Sequence, residues 1–201
     1  MALPIFHSSA TRVYSFFIRV VIRVTNNESR ITNNREEPTM LLKWIKILLT
    51  LALSFLCLFY ALQNIANVDA VFGVMSAVMG MDGHQYYPQT FAFNVTQPSL
   101  VWFAATLVIA AEFIAGLVLL FATWRLLGAR NENVVFQAQK YWVLVGAGIA
   151  LLVWFGFFQV IGGAFFQMWQ TELGDASMRG AFIYLASIAL ITWFIYQPER
   201  E

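Results

Sequence analysis

Charge is what this 201-residue chain has least of: Asp, Glu, Lys and Arg make up 11% of it, against about a quarter of an ordinary soluble domain. Its 12 basic and 11 acidic residues nearly cancel, to a net charge of +1, and no basic face is interleaved with aromatics. That excludes a nucleic-acid surface. A single cysteine, Cys57, excludes an intramolecular disulfide, and its place inside an apolar run marks it as a small buried group. The two histidines, His7 and His84, lie outside the apolar runs, which excludes paired haem ligation there. His84 beside Asp82 reads as a solvated loop pair. No Cys, His and carboxylate cluster has metal-ligand spacing, and no phosphate-binding glycine loop, serine elbow or Cys–His pairing occurs. The expectation is a protein that is not an enzyme and takes no cofactor or metal.

What is present is apolar length. Hydrophobic residues make up 60% of the chain, and the mean hydropathy is +0.67. Four long apolar runs occupy about 41–63, 99–127, 141–162 and 179–197. Crossing a hydrocarbon core takes about 20 helical residues, and backbone groups in lipid must bond within their own segment. The runs are continuous rather than alternating, so they predict helices and not barrel strands. Pro198 ends the last one. The predicted fold is an all-α, four-transmembrane-helix bundle spanning residues 40–201. A short amphipathic helix is expected in the first outer loop, 64–98, where Val71, Met75, Val78 and Met79 recur at helical spacing before Gly80 and Gly83 break it.

Residues 1–39 differ in kind, with five arginines and a polar stretch over 25–39. The apolar piece 13–24 is too short and too charged to span. We expect Met40 to be the natural start, with 1–39 a disordered or non-native extension. Lys43 and Lys46 before a leucine-rich run also suit a signal peptide cleaved near Asp69, but the run exceeds a signal core of about 7–15 residues.

Lys43, Lys46, Arg125, Arg130, Lys140 and Arg200 fall on one side of this topology and only Arg179 on the other. The positive-inside rule therefore predicts both termini in the cytoplasm. Trp44, Trp102, Trp124, Trp142, Trp169 and Trp193 all fall near helix ends, as a headgroup belt requires, and only Trp154 lies mid-helix. The partners expected are the lipid bilayer and another membrane protein.

Glu112 is the one charge deep in a run. An ionised acid there costs about 2.5–3.5 kcal/mol, so it must face the bundle or carry its proton. Its helical neighbours Ala105, Ala115 and Gly116 are small, the signature of a closely approached face. Counted depth offers Ser54 and Ser187 as partners, with Gln159 nearer the outer surface. Gly162 and Gly163 predict a bend, after which Phe165, Phe166, Met168 and Trp169 are expected to lie at the outer interface as an anchor or a docking patch.

Ile109-Ala110-Ala111-Glu112, Met81-Asp82, and Gly162-Gly163 leading to Met168-Trp169-Gln170 together resemble a bacterial family of predicted small integral membrane proteins, domain of unknown function 2165. The resemblance covers about 40–198. It implies a four-helix inner-membrane protein and no activity. Where members follow the double glycine with an acid and a tryptophan, Ala164 and Phe165 stand here.

Two functions are then in play. One is a non-enzymatic accessory or interaction subunit. The other is a small proton- or cation-linked transporter or channel using Glu112, which a polar stripe facing that residue would favour. Only Ser54, Ser187, Thr192 and Gln159 offer themselves for such a stripe from sequence alone.

Overall fold

A computed structural model describes residues 36–87 and 89–199, with side chains from residue 39 onward. The apolar piece 13–24 lies outside the described residues, as does nearly all of the expected extension. The chain divides into two units, Met1–Pro38 and Thr39–Glu201, and only the second is treated below.

Its elements are α1 (Glu36–Ala66), α2 (Val68–Gly80), α3 (Pro98–Gly128), α4 (Asn133–Leu151) with a π-helical continuation (Leu152–Phe165), a 3₁₀ turn (Met168–Gln170) and α5 (Glu172–Tyr196). No strand occurs among the described residues. Four helices are long and apolar enough to cross a membrane: Thr39–Ala66, Pro98–Gly128, Asn133–Phe165 and Glu172–Tyr196. The shortest has 25 residues, about 38 Å at 1.5 Å per residue, against a hydrocarbon core of about 30 Å. Each is longer than its apolar run, because helices carry polar residues past the core into the headgroup layer. The ends of the four spanning helices fall into two sets. The start of α1 and the end of α5 define a terminal end, and α2 with the 3₁₀ turn defines a cap end.

Glycine sets the closest approaches. A Cβ on Gly116 would lie 2.6 Å from Leu58 Cγ and 3.1 Å from its backbone nitrogen, so α1 and α3 pack almost backbone to backbone. Gly146 meets Leu119 on α3 in the same way, at 2.7 and 3.1 Å. The expected small-residue face of α3 is buried, with Ala105, Ala115 and Gly116 all inside. Trp154, the mid-helix exception to the tryptophan belt, is buried against Tyr60 and Tyr184. Phe55, Phe59, Phe103, Leu117 and Ile183 face outward, an apolar exterior that suits acyl chains and would aggregate in water.

At the cap end α2 ends where expected. Met81, not a glycine, takes the left-handed conformation (φ 58°), and Met81 and Asp82 donate back to the Val78 and Ala77 carbonyls. This closes the helix in the Schellman manner. Phe72 stacks on Trp102, and the Val95 amide donates to the Met79 carbonyl at 2.7 Å, tying α2 and its loop to the start of α3.

Candidate functional site

Glu112 is 2% exposed and its Oε2 accepts a hydrogen bond from Asn64 Nδ2 at 2.8 Å. Asn64 was expected in the outer loop. It belongs to the last turn of α1 instead, because that helix runs to Ala66. Helical side chains lean toward their own N-terminus. Glu112 on the antiparallel α3 therefore leans toward the cap end while Asn64 leans back toward the core, and the two meet. The serine partnership does not form. Ser54 donates to the Gly116 carbonyl at 2.8 Å, one helical turn farther on. Ser187 is half-buried on α5 and makes no bond to Glu112. Gln159 donates from Nε2 to the Met178 carbonyl at 2.7 Å, joining the π-helical segment to α5.

Beside this pair the hydroxyls of Tyr60 and Tyr184 bond each other, their ring centroids 4.7 Å apart. Cys57, buried, lies one turn before Tyr60 on α1. These residues extend a pattern. The inward face of α1 carries Lys43, Lys46, Thr50, Ser54, Cys57 and Asn64, and all but Asn64 are buried. The Thr50 hydroxyl donates to the Lys46 carbonyl at 2.8 Å. Thr192 Oγ1 on α5 is the one buried side-chain polar atom among the described residues without a partner.

The terminal end of that face closes on an ion cluster. Lys46 on α1 and Lys140 on α4 are fully buried and both reach Glu199, with Nζ to Oε1 distances of 2.7 and 2.8 Å. Both also donate to the Gln197 carbonyl, at 2.5 and 2.6 Å. The tail after α5 is thus folded over the mouth of the bundle. Burial alone would raise the Glu199 carboxyl, but the hydrogen bonds from Lys140 and Lys46 and their charges outweigh it and hold it below the usual carboxylate range. Lys43 donates to the Arg130 carbonyl at 2.7 Å, and Lys43 and Lys140 both lie near the Phe136 ring.

The expected outer patch is internal in part. Gly162 and Gly163 do not bend the chain; the π-helix runs through them, and the turn falls at Gln167 (φ 53°). The glycines serve close packing, since a Cβ on either would meet Met168 or Met178 sulfur or methyl atoms at 2.6 to 3.1 Å. Phe166 and Met168 are buried, so they present nothing to a partner. Phe165 packs half-buried against Phe91 and Phe93, whereas Trp169, in contact with the Tyr86 and Tyr87 rings, stays exposed as expected. Gln170 locks this arrangement by accepting from the Tyr86 and Tyr87 amides at 2.9 and 3.0 Å.

The sequence profile described as predicted small integral membrane protein (DUF2165) matches residues 42–198. The chain belongs to that family. No curated protein and no solved structure matches it. In this DUF2165 member the Glu112–Asn64 pair and the Lys46–Lys140–Glu199 cluster both lie on elements inside or bordering the matched span. Sequence reasoning missed the second of these, because Lys46 and Lys140 read as flanking charges and Glu199 as tail. The available signal was spacing: Lys43, Lys46, Thr50, Ser54 and Cys57 recur every three or four residues, which puts them on one helix face.

Proposed function

We propose that this integral membrane protein moves protons or a small cation across the bilayer, with Glu112 as the exchanging group. The observation carrying this reading is the polar inward face of α1, which runs from the Lys46 cluster at the terminal end to the Glu112–Asn64 pair toward the cap end. Intramembrane acids that face the bundle mark ion pathways, and Lys46, Thr50, Ser54 and Asn64 give that face polar groups at intervals, with the buried Cys57 and Ala61 between the last two. The lysine and arginine distribution supports both termini in the cytoplasm, and the family resemblance supports a bacterial inner membrane. Reconstituted in liposomes with a trapped pH indicator and an imposed gradient, the wild-type protein is expected to pass protons or cations and Glu112→Gln to lose that flux. A Glu112→Gln protein that conducts like wild type disposes of the reading.

A second reading, a non-enzymatic accessory subunit, is favoured by one observation. The hydroxyls of Thr50, Ser54 and Tyr60 are already spent on partners within the protein, which is how packing-only polar groups behave. Extraction in mild detergent should then recover a membrane partner in fixed stoichiometry. Recovery of this chain alone, from membranes in which it is active in flux, removes that alternative.

A further inference from the structure

At the terminal end, the last turns of α3 and the first turns of α4 leave an open groove of about 300 Å³ lined by Trp124, Arg125, Gly128, Ala129, Val135 and Gln139. Gly128 keeps its floor open, with nothing within 4 Å of where a Cβ would stand. Arg125 is the one charged lining residue, and no acid joins it. Its guanidinium is held from behind: Nε donates to Gln139 Oε1 at 2.9 Å, and its central carbon lies 5.7 Å from the Phe121 ring centroid. No described residue takes up its two terminal nitrogens. A guanidinium so fixed presents the fork that matches a phosphate in two parallel hydrogen bonds. Trp124 stands exposed beside it, and Phe121 packs on Trp142. Tryptophan marks the headgroup layer, so the anion at this height is a lipid's. Below the groove, Leu117, Leu120 and Phe121 are exposed on α3 and offer apolar contact to an acyl chain.

We propose that this groove is a specific seat for an anionic glycerophospholipid, its phosphodiester held by Arg125 and its chain laid along α3. The site stands apart from Glu112 and from the α1 face, and does not depend on the transport reading.

The test uses the full chain in mild detergent, with phosphatidylglycerol, phosphatidylcholine or inorganic phosphate added, read by native mass spectrometry and thermal unfolding. One phosphatidylglycerol per chain is expected to be retained in preference to phosphatidylcholine, raising the unfolding temperature. Arg125→Gln should weaken that retention roughly tenfold, the loss that follows from one charge-assisted hydrogen-bonded contact. Gln139→Ala, which frees the guanidinium to wander, should weaken it less. Arg179→Gln removes an exposed charge elsewhere, paired with Asp175, and should change nothing. The proposal fails if folded Arg125→Gln retains the lipid like wild type, if Arg179→Gln weakens it equally, or if phosphatidylcholine is held as well as phosphatidylglycerol. It also fails if inorganic phosphate at matched concentration stabilises the protein as the lipid does.

Discussion

Glu199→Gln is expected to destabilise the bundle by about 3–5 kcal/mol, the cost of removing one partner from a buried ion pair and leaving the other charge uncompensated. Here one carboxylate serves two ammonium groups, and the ion-paired side chains are 1% exposed, so water cannot replace it. The contrast lies on α5. Arg179 and Asp175 also pair, but at side-chain exposures of 65% and 41%, and cutting that pair should cost under about 1 kcal/mol. Replacing the cluster as a whole, with Lys46→Met, Lys140→Met and Glu199→Leu together, should restore most of the loss, because apolar groups of similar volume remove the desolvation penalty. Thermal unfolding in detergent decides among these. A Glu199→Gln protein as stable as wild type would mean that the lysines find other partners.

The same carboxylate sets a pH dependence. Its pKa is depressed by folding, so its contribution is complete above the unfolded value of about 4.3 and is lost as pH falls through the lower folded value. Wild type should therefore lose stability steeply below about pH 4, and the gap between wild type and Glu199→Gln should narrow there. An equal gap at neutral and acidic pH would assign the effect to packing instead.

Gly174→Ala should cost about 3 kcal/mol, in the upper part of the range for overpacking. A Cβ there collides with the Met168 carbonyl oxygen and stands 2.6 Å from its carbon and 2.8 Å from the Met168 Cβ. Most such collisions are relieved by swinging a side chain. This one is not, because the carbonyl is backbone and is fixed by the Thr171 amide and hydroxyl, each at 3.1 Å. Gly180, six residues along the same helix, meets only Tyr184, its Cε2 at 3.9 Å and its hydroxyl at 4.0 Å. Gly180→Ala should be neutral or stabilising by up to about 1 kcal/mol, through helix propensity. Unfolding temperatures of the two variants moving together would contradict the collision.

The number and order of the membrane helices were legible in the sequence, because lipid admits few solutions for a long apolar run. The small-residue face around Glu112 was legible for the same reason, helical spacing being a property of the sequence. What failed was pairing across helices. Depth counted from the apolar run ends points to Ser54 and Ser187, but α1 continues through Gln63 and Asn64 to Ala66. That extension brings an amide, not a hydroxyl, to the carboxyl. The double glycine predicts a bend because glycine lowers helix stability, whereas close contact with Met168 and Met178 outweighs that cost. Glu199 was illegible because a tail after proline has no periodicity to announce where it folds.

One consequence follows from the wide-turned second half of α4. A π-helix holds more residues in each turn than an α-helix does, so Leu152–Phe165 occupies less height than the same residues would at ordinary pitch. Directly after it come Gln167 and Gln170; Gln170 accepts from the loop amides of Tyr86 and Tyr87 and donates from Nε2 to Gln167 Oε1. Rewinding this stretch to the narrower coil would lengthen it and drive those glutamines, with everything hung on them, away from the bundle. The elevation of the lid and the gauge of one coil are thus a single mechanical variable.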